Sequence, residues 1–391
     1  MSCSDPRVSR RGLIKTTSQA AIAAAVGGQV LARAADKPAT QPAVVDVKKI
    51  LNYNPKMKYR RMGKTGLMIS EISLGGHWKN RNGERYWDAF TNDEVPEDVA
   101  KNRTEVVSEC IDKGINYVDI TTAAECLSYG AALAGRRNKM IVGADDHRLC
   151  IRSDDNCNVA TQVKNVEECL RRMKTDYLDI WRVQAKMDGT SQDAHMEAAI
   201  EAAEKCRKAG KIRHFGCSSH NRKWLQHVVT KFPAVEMIVF PCTAITRKAG
   251  GPVTKDNVEE RVAYKMAEDL GGSIFDTVRK HDVGVVTIKP FAGGQVFKSQ
   301  GTFPVMGVGL KEENDLARLT LMCILTLYDE ITCVVPGLTT MYEVDNAVRA
   351  SRLRGVVDLS PAEQQWLREA TVEGLASLPE DYQWLREWEV I

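Results

Sequence analysis

The sequence predicts an α/β fold, a (β/α)₈ TIM barrel with an N-terminal β-hairpin and an extra C-terminal helix. Three observations predict it. Short β-branched runs alternate with longer stretches of 3.6-residue periodicity to the end of the chain. Eight such runs occur, at 71–74, 117–119, 140–142, 179–183, 214–217, 237–240, 284–288 and 332–335. A doubly wound open sheet is the rival, and the G-x-G-x-x-G turn that usually marks it is absent.

Each element follows from local signals. Ahead of the first run, 59–61 and 67–70 flank Gly63-Lys64-Thr65-Gly66, a hairpin suited to plug the N-terminal end of a barrel. Helical periodicity is clear at 159–173, 193–209 and 316–328. Glycine ends helices just before strands, as in Lys113-Gly114 and Ala209-Gly210-Lys211. A last helix, 361–373, falls outside the eight-fold pattern.

The N-terminus carries a different message. Arg7, Arg10, Arg11 and Lys15 precede a mildly apolar stretch at 20–31, and Ala32-Arg33-Ala34 offers small residues for a signal peptidase. Ser9-Arg10-Arg11-Gly12-Leu13-Ile14-Lys15 resembles the twin-arginine export signal. The expected organisation is therefore a signal peptide at 1–34, a flexible linker at 35–57, a barrel at 58–375 and a tail at 376–391. The twin-arginine machinery would be a partner, and the periplasm or another extracytoplasmic compartment the destination. The apolar stretch is too short and too rich in Ala and Gly to span a bilayer, and no later segment does, so stable membrane insertion is not expected.

Composition narrows the function classes. The 391 residues hold 54 Lys and Arg against 51 Asp and Glu with no basic run, which leaves no electrostatic case for nucleic acid. There are eleven cysteines but no Cys-x-x-Cys pair, so zinc ribbons and iron–sulfur clusters lack support. Most cysteines sit in apolar contexts as small hydrophobes; Cys150 and Cys157, in a polar loop, are candidates to pair in an oxidising compartment.

In such barrels the chemistry lies on loops at the C-terminal ends of the strands. The residues there are His77 and Trp78, Asp119 to Glu125, Asp145 to His147, Gln184, Ser218 to His220, Cys242, Lys289 and Pro336 to Thr340.

Several segments resemble the aldo-keto reductase family. Tyr59-Arg60-Arg61-Met62-Gly63-Lys64-Thr65-Gly66-Leu67, followed by Ile69-Ser70-Glu71-Ile72-Ser73-Leu74-Gly75-Gly76, resembles the opening hairpin and first strand. Gly114-Ile115-Asn116-Tyr117-Val118-Asp119 resembles the second strand, Thr175-Asp176-Tyr177-Leu178-Asp179-Ile180 the fourth, and Gly210-Lys211-Ile212-Arg213-His214-Phe215-Gly216-Cys217-Ser218 the fifth. Val334-Val335-Pro336-Gly337 resembles the eighth. The resemblance implies a barrel that binds a nicotinamide cofactor, NADP or NAD, and reduces the carbonyl of a small-molecule substrate with Asp, Tyr, Lys and His.

Transferred by position, one of the four catalytic residues is kept. Asp119 matches the Asp; the Tyr falls near Ala124, the Lys at Asp145 and the His at Gln184. Asp119 and Asp145 would then be neighbouring carboxylates without their cation. Lys289, at the end of the seventh strand, is expected to restore that cation by pairing with Asp145 or Asp119. Asp119 is otherwise a helix N-cap. On the cofactor side, Ser218 and Ser219 stand where the family's Ser-Asn pair holds the nicotinamide amide; Ser218 matches, and Ser219 replaces the Asn with a hydroxyl that can still hydrogen-bond. Gly337, Thr339 and Thr340 match a phosphate-binding turn. Glu343 stands where a Gln contacts adenine, and no Arg or Lys lies in the turn to grip a 2′-phosphate. His77, Trp78, Asp145 and Gln184 are candidate pocket residues, Trp78 as a platform for a sugar ring. The polar insertion 247–269 reads as a lid or a loop. Three functions follow: an exported oxidoreductase with an altered active site, a non-catalytic ligand-binding barrel, or a hydrolase or lyase that reuses the carboxylate pair.

Overall fold

The protein is described from a computed structural model, in residues 46–78, 93–244, 273–300, 315–327 and 329–378. It divides into two compact units, Met1–Asp46 and Val47–Ile391, and all that follows concerns the second. The expected signal peptide and the insertion 247–269 lie outside the described residues, as does most of the expected tail.

A short antiparallel pair, β1 (Tyr59–Arg61) and β2 (Met68–Ser70), precedes eight strands. These are β3 (Leu74–Gly75), β4 (Tyr117–Ile120), β5 (Ile141–Ala144), β6 (Leu178–Gln184), β7 (Ile212–Ser218), β8 (Met237–Pro241), β9 (Gly284–Ile288) and β10 (Ile331–Val335). Every neighbour in the sheet is parallel and sequential. A parallel bridge from Ile72 to Val334 joins the first strand to the last. The Ser73 N–H donates to Val334 O at 3.1 Å and Val334 N–H to Glu71 O at 2.9 Å. The predicted barrel is thus the observed one. Its strands read as near-continuous apolar runs because both faces are covered.

Nine helices stand among the described residues: α1 (Glu97–Asp112), α2 (Ala123–Ala132), α3 (Val159–Met173), α4 (Asp193–Lys208), α5 (Arg222–Lys231), α6 (Ile274–His281), α7 (Leu316–Leu327), α8 (Met341–Leu353) and α9 (Pro361–Ala376). The α3 helix shows how sequence sets them. Asn158 caps it by accepting the Thr161 N–H at 2.9 Å. Gln162, Asn165, Val166, Cys169, Leu170 and Met173 turn one stripe inward, and Lys174 ends the helix at φ 52°. Beyond the eight-fold pattern, α9 lies against the short 3₁₀ segment Ala292–Gln300, close enough that a Cβ on Gly374 would meet the Gln295 carbonyl carbon at 2.8 Å.

The hairpin closes the barrel floor as the sequence predicts. Met62 and Ile69 enter the interior among Tyr117, Ile141, Ile180 and Met237. Gly63, at φ 46°, lies so near the Asp282–Gly284 backbone that a Cβ would come within 2.4 Å of it. Buried Glu71 ties the seam. Its carboxylate takes Arg60 at 2.7 Å, Arg354 at 2.5 Å and the Ser351 hydroxyl at 3.0 Å. Burial pushes the Glu71 pKa up, but the two guanidiniums overcome it and hold it below the ordinary value.

One expected boundary moves. The linker predicted at 35–57 is docked from Val47 onward. Met57 and Ile50 are buried, Asn52 Nδ2 donates to Lys139 O at 2.6 Å, and Asn54 Nδ2 to Asp112 O at 3.0 Å. Local composition suggested a spacer; apolar burial and two side-chain amides pin it. Cys150 and Cys157 are free thiols in this structure, so the contemplated pairing is absent. No described helix is long and apolar enough to cross a membrane.

Candidate active site at the C-terminal mouth

The lower half of the barrel interior is apolar and the upper half is charged. On β4, Tyr117 and Asp119 face inward; on β6, Ile180, Arg182 and Gln184 do. Arg182 grips Asp119 with two bonds, Nε to Oδ1 at 2.9 Å and Nη2 to Oδ2 at 3.0 Å. Its Nη1 donates to the Ser218 hydroxyl at 2.8 Å and its Nη2 also to Ile120 O at 3.2 Å. Tyr117 donates to Asp119 Oδ1 at 3.1 Å. Gly143 makes this possible, since a Cβ there would strike the Tyr117 hydroxyl at 2.3 Å. Burial drives the Asp119 pKa up, and Arg182 and Tyr117 offset only part of that. Burial also places the Tyr117 phenol well above its ordinary pKa, so it keeps its proton and braces Asp119.

This geometry corrects the expected cation. Arg182, not Lys289, neutralises Asp119. The described partners of Asp119 are Arg182 and Tyr117, and those of Asp145 are Asn165, Trp181 and Gln184. Asp119 is no helix cap either, because Thr122 caps α2 by accepting the Glu125 N–H. Sequence reasoning missed Arg182, yet a signal was there. A guanidinium in the middle of a strand buried along its whole length must meet a carboxylate.

Asp145 is fully buried and its oxygens are committed. Oδ1 accepts from Asn165 at 2.7 Å and Trp181 at 3.3 Å; Oδ2 accepts from the Gln184 side chain at 3.0 Å and its backbone N–H at 3.2 Å. Burial raises its pKa to about 6, against the pull of Arg182 and its donors. Gln184 is buried too and also donates to Thr121 O at 3.1 Å. Both residues therefore brace the mouth from below instead of lining an open pocket. Trp78 turns inward as well. It is 1% exposed, packs edge-on against Tyr129 and lies under the Arg103 guanidinium at 4.5 Å, so no sugar ring reaches its face. Tyr129 itself donates to Gly75 O at 2.5 Å.

His77 stays at the mouth. Its side chain is 43% exposed while its partner Glu125 is fully buried. His77 Nδ1 lies 2.8 Å from Glu125 Oε1, which also takes the His77 backbone N–H at 2.9 Å. Glu125 Oε2 accepts the Thr121 N–H at 2.6 Å and its hydroxyl at 2.8 Å. Two local features allow this. A Cβ on Gly76 would fall 1.8 Å from the Glu125 carboxyl carbon, so only glycine admits the carboxylate. His77 sits at φ 57°, a left-handed conformation costly for a branched ring and held by these bonds. Burial pushes the Glu125 pKa up, but His77 and the Thr121 donors carry it below the ordinary value. Glu125 was named in the sequence only as the end of a segment. A glutamate on the first turn of a helix facing two glycines was the available clue. His147 shares the rim, 42% exposed, with burial lowering its pKa against Asp146 and Glu125.

The cofactor residues divide. Ser218 accepts from Arg182, and its own O–H proton has no described acceptor, which leaves it free to donate. Ser219 is committed at both ends. It donates to Lys186 O at 2.8 Å and accepts the Asn221 N–H at 3.1 Å, so it pins the loop. Lys289, at φ 56°, lies near His220, whose pKa is held well below its ordinary value by burial and then by that charge. Gly337, Thr339 and Thr340 form the turn into α8, but Glu343 fills it. Its Oε2 accepts Thr339 N–H at 2.6 Å, Thr340 N–H at 3.0 Å and the Thr339 hydroxyl at 3.0 Å. Thr340 returns the bond by accepting Glu343 N–H at 3.2 Å. The turn therefore does not fit a 2′-phosphate. Beside it lies a mostly apolar pocket walled by Phe291, Pro336, Leu338, Tyr342, Asn346 and Glu343.

One described cluster has the spacing of metal ligands: Asp154, Cys157 and His195, with ligand atoms within 4.8 Å. His195 Nδ1 accepts the Gln192 N–H at 3.4 Å, which puts its proton on Nε2, toward Asp154. Lys186 pairs with the same Asp154 at 2.8 Å. Within this group the Lys186 ammonium already neutralises Asp154.

The aldo/keto reductase family model matches residues 89–332. An uncharacterized oxidoreductase of Bacillus subtilis, YqkF, is 26% identical over 198 residues, covering 47% of this chain and 56% of that relative. The match therefore spans little more than half of the curated relative. Among solved structures, an aldo-keto reductase of Bacillus halodurans in its holo form is 21% identical with a TM-score of 0.52, over 80% of this chain and 96% of that one. One from Klebsiella pneumoniae in complex with NADP and acetate is 16% identical with a TM-score of 0.50, over 83% and 96%. These likenesses show the barrel fold. The extent of the family match, more than half of the sequence, shows that this chain belongs to the aldo/keto reductase family.

Proposed function

We propose that this chain is an exported oxidoreductase with an altered active site, in which His77 exchanges the proton with a small carbonyl or sugar-like substrate. The observation that carries it is the 2.8 Å contact between His77 Nδ1 and the buried carboxylate of Glu125, at the open mouth of the barrel. Glu125 orients the ring through Nδ1, and Nε2 would be the atom that gives a proton to a carbonyl oxygen or takes one from a hydroxyl. A nicotinamide dinucleotide, as in the Klebsiella relative, would supply or accept the hydride at the carbon. Ser218 has the hydroxyl proton to hold its amide, and Arg182 fixes that hydroxyl in place. Asp119 and Arg182 are a buried frame in this reading, not the reacting groups.

The twin-arginine motif at Arg10-Arg11 supports export, because that route carries folded proteins and suits a barrel loaded before it leaves the cytoplasm. Replacing both arginines with lysine in a tagged chain should retain it in the cytoplasm; unchanged export would remove the localisation. The activity is tested by titrating purified protein with NADH and NADPH, and by turnover on a panel of aldehydes and aldoses. Binding with turnover that falls in His77→Gln supports the reading. Thermal stabilisation by sugars with neither cofactor binding would favour the ligand-binding barrel instead.

A further inference from the structure

We propose that Glu343 makes the adenosine end of the site select a dinucleotide without the 2′-phosphate, NAD(H) over NADP(H); this rests on the dinucleotide reading above. The family's turn offers backbone N–H groups at a helix start, a ready anion site. In this chain a carboxylate of its own takes those groups. Glu343 Oε2 holds both Thr339 and Thr340 N–H as well as the Thr339 hydroxyl. The Thr340–Glu343 pair is a reciprocal capping box, a local arrangement that forms with the helix itself.

The turn is also clamped from below. Asn102 Nδ2 donates to Thr339 O at 2.8 Å, and Arg103 Nη2 to Leu338 O at 2.8 Å. Opening the box to admit a phosphate would break three bonds to Glu343 and leave two negative groups side by side. None of the described residues lining the neighbouring pocket is Lys or Arg, and its wall carries a second carboxylate, Asp315. What remains suits adenosine without the phosphate. The pocket presents Phe291, Pro336, Leu338 and Tyr342 to a purine face. Glu343 Oε1 has no described hydrogen bond and remains an acceptor for a ribose hydroxyl. A carboxylate reading the ribose 2′-OH, against an Arg accommodating the 2′-phosphate, is a general way for proteins to separate the two dinucleotides.

The test uses the full mature chain and binding rather than turnover. ADP-ribose and 2′-phospho-ADP-ribose are titrated by calorimetry into wild type and Glu343→Gln, a change that keeps the capping box but removes the charge. The expected result is at least about tenfold tighter binding of ADP-ribose by wild type. In Glu343→Gln that gap should shrink to near parity with the melting temperature unchanged. Equal or tighter wild-type binding of the phosphorylated probe overturns the selectivity and leaves the dinucleotide reading intact. A gap that Glu343→Gln does not change overturns the role of Glu343. If wild type binds neither probe nor NADH, the dinucleotide reading falls and the selectivity falls with it.

Discussion

Asp119 and Glu125 are two buried carboxylates on neighbouring elements of the same barrel end, yet they meet opposite partners. Asp119 is sealed in with a guanidinium that is itself 1% exposed. Glu125 is equally sealed but faces an imidazole that is 43% exposed. An arginine keeps its charge at any accessible pH, so the first pair stores charge as structure. The second pair presents an imidazole at the rim, where it can meet what enters the mouth, whereas the guanidinium is sealed away. Asp119 is held as a frame by Arg182, while the imidazole of His77 stands at the rim.

The comparison breaks most visibly at the frame. Arg182→Met strands Asp119 in the interior and is expected to cost about 3–5 kcal/mol in urea unfolding. Adding Asp119→Asn should recover part of that loss, and a double variant no better than the single would undo the pairing argument. At the mouth, His77→Gln should lower turnover by about 10²- to 10⁴-fold with little change in melting temperature. An unchanged rate would move the proton elsewhere on the rim. Glu125→Gln should show the same loss together with a flatter acid limb. The folded pKa of Glu125 lies below its unfolded value, so its stabilisation is present above the unfolded pKa and lost as pH falls through the folded one.

Asp145→Asn sharpens the contrast with a third buried carboxylate. Mispairing its four donors is expected to cost about 1–3 kcal/mol. The folded pKa of about 6 is raised above the unfolded value. The folded state therefore binds the proton more tightly, and wild-type stability declines as pH rises toward 6. The cost of Asp145→Asn should accordingly be larger at pH 4 than at pH 7, and denaturation curves at both decide it. Ser219→Ala, the smallest change, should lose about 1 kcal/mol from the pinned loop and leave cofactor binding unaltered.

Much of the fold was legible because it is written locally. The strand rhythm, the α3 boundaries and the hairpin around Gly63 follow from period, caps and turn residues. Glu343 could have been read too, because Thr340-x-x-Glu343 is a capping-box pattern that resemblance to an adenine contact obscured. Trp78 misled because a Trp after a strand end suits a pocket rim or a core equally, and only the Arg103 and Tyr129 that surround it decide which.

The sequence by itself determined the parallel barrel, the plug beneath it and the residue types at each strand end, since periodicity and capping act over a few residues. Tertiary structure decided how those types are used. Arg182 reaches Asp119 from another strand, Glu125 reaches His77 through the gap left by Gly76, and Asp145 spends its oxygens on Asn165 and Gln184. Barrel closure brings together groups far apart in the chain, and in a dry interior each charge must take the nearest complement.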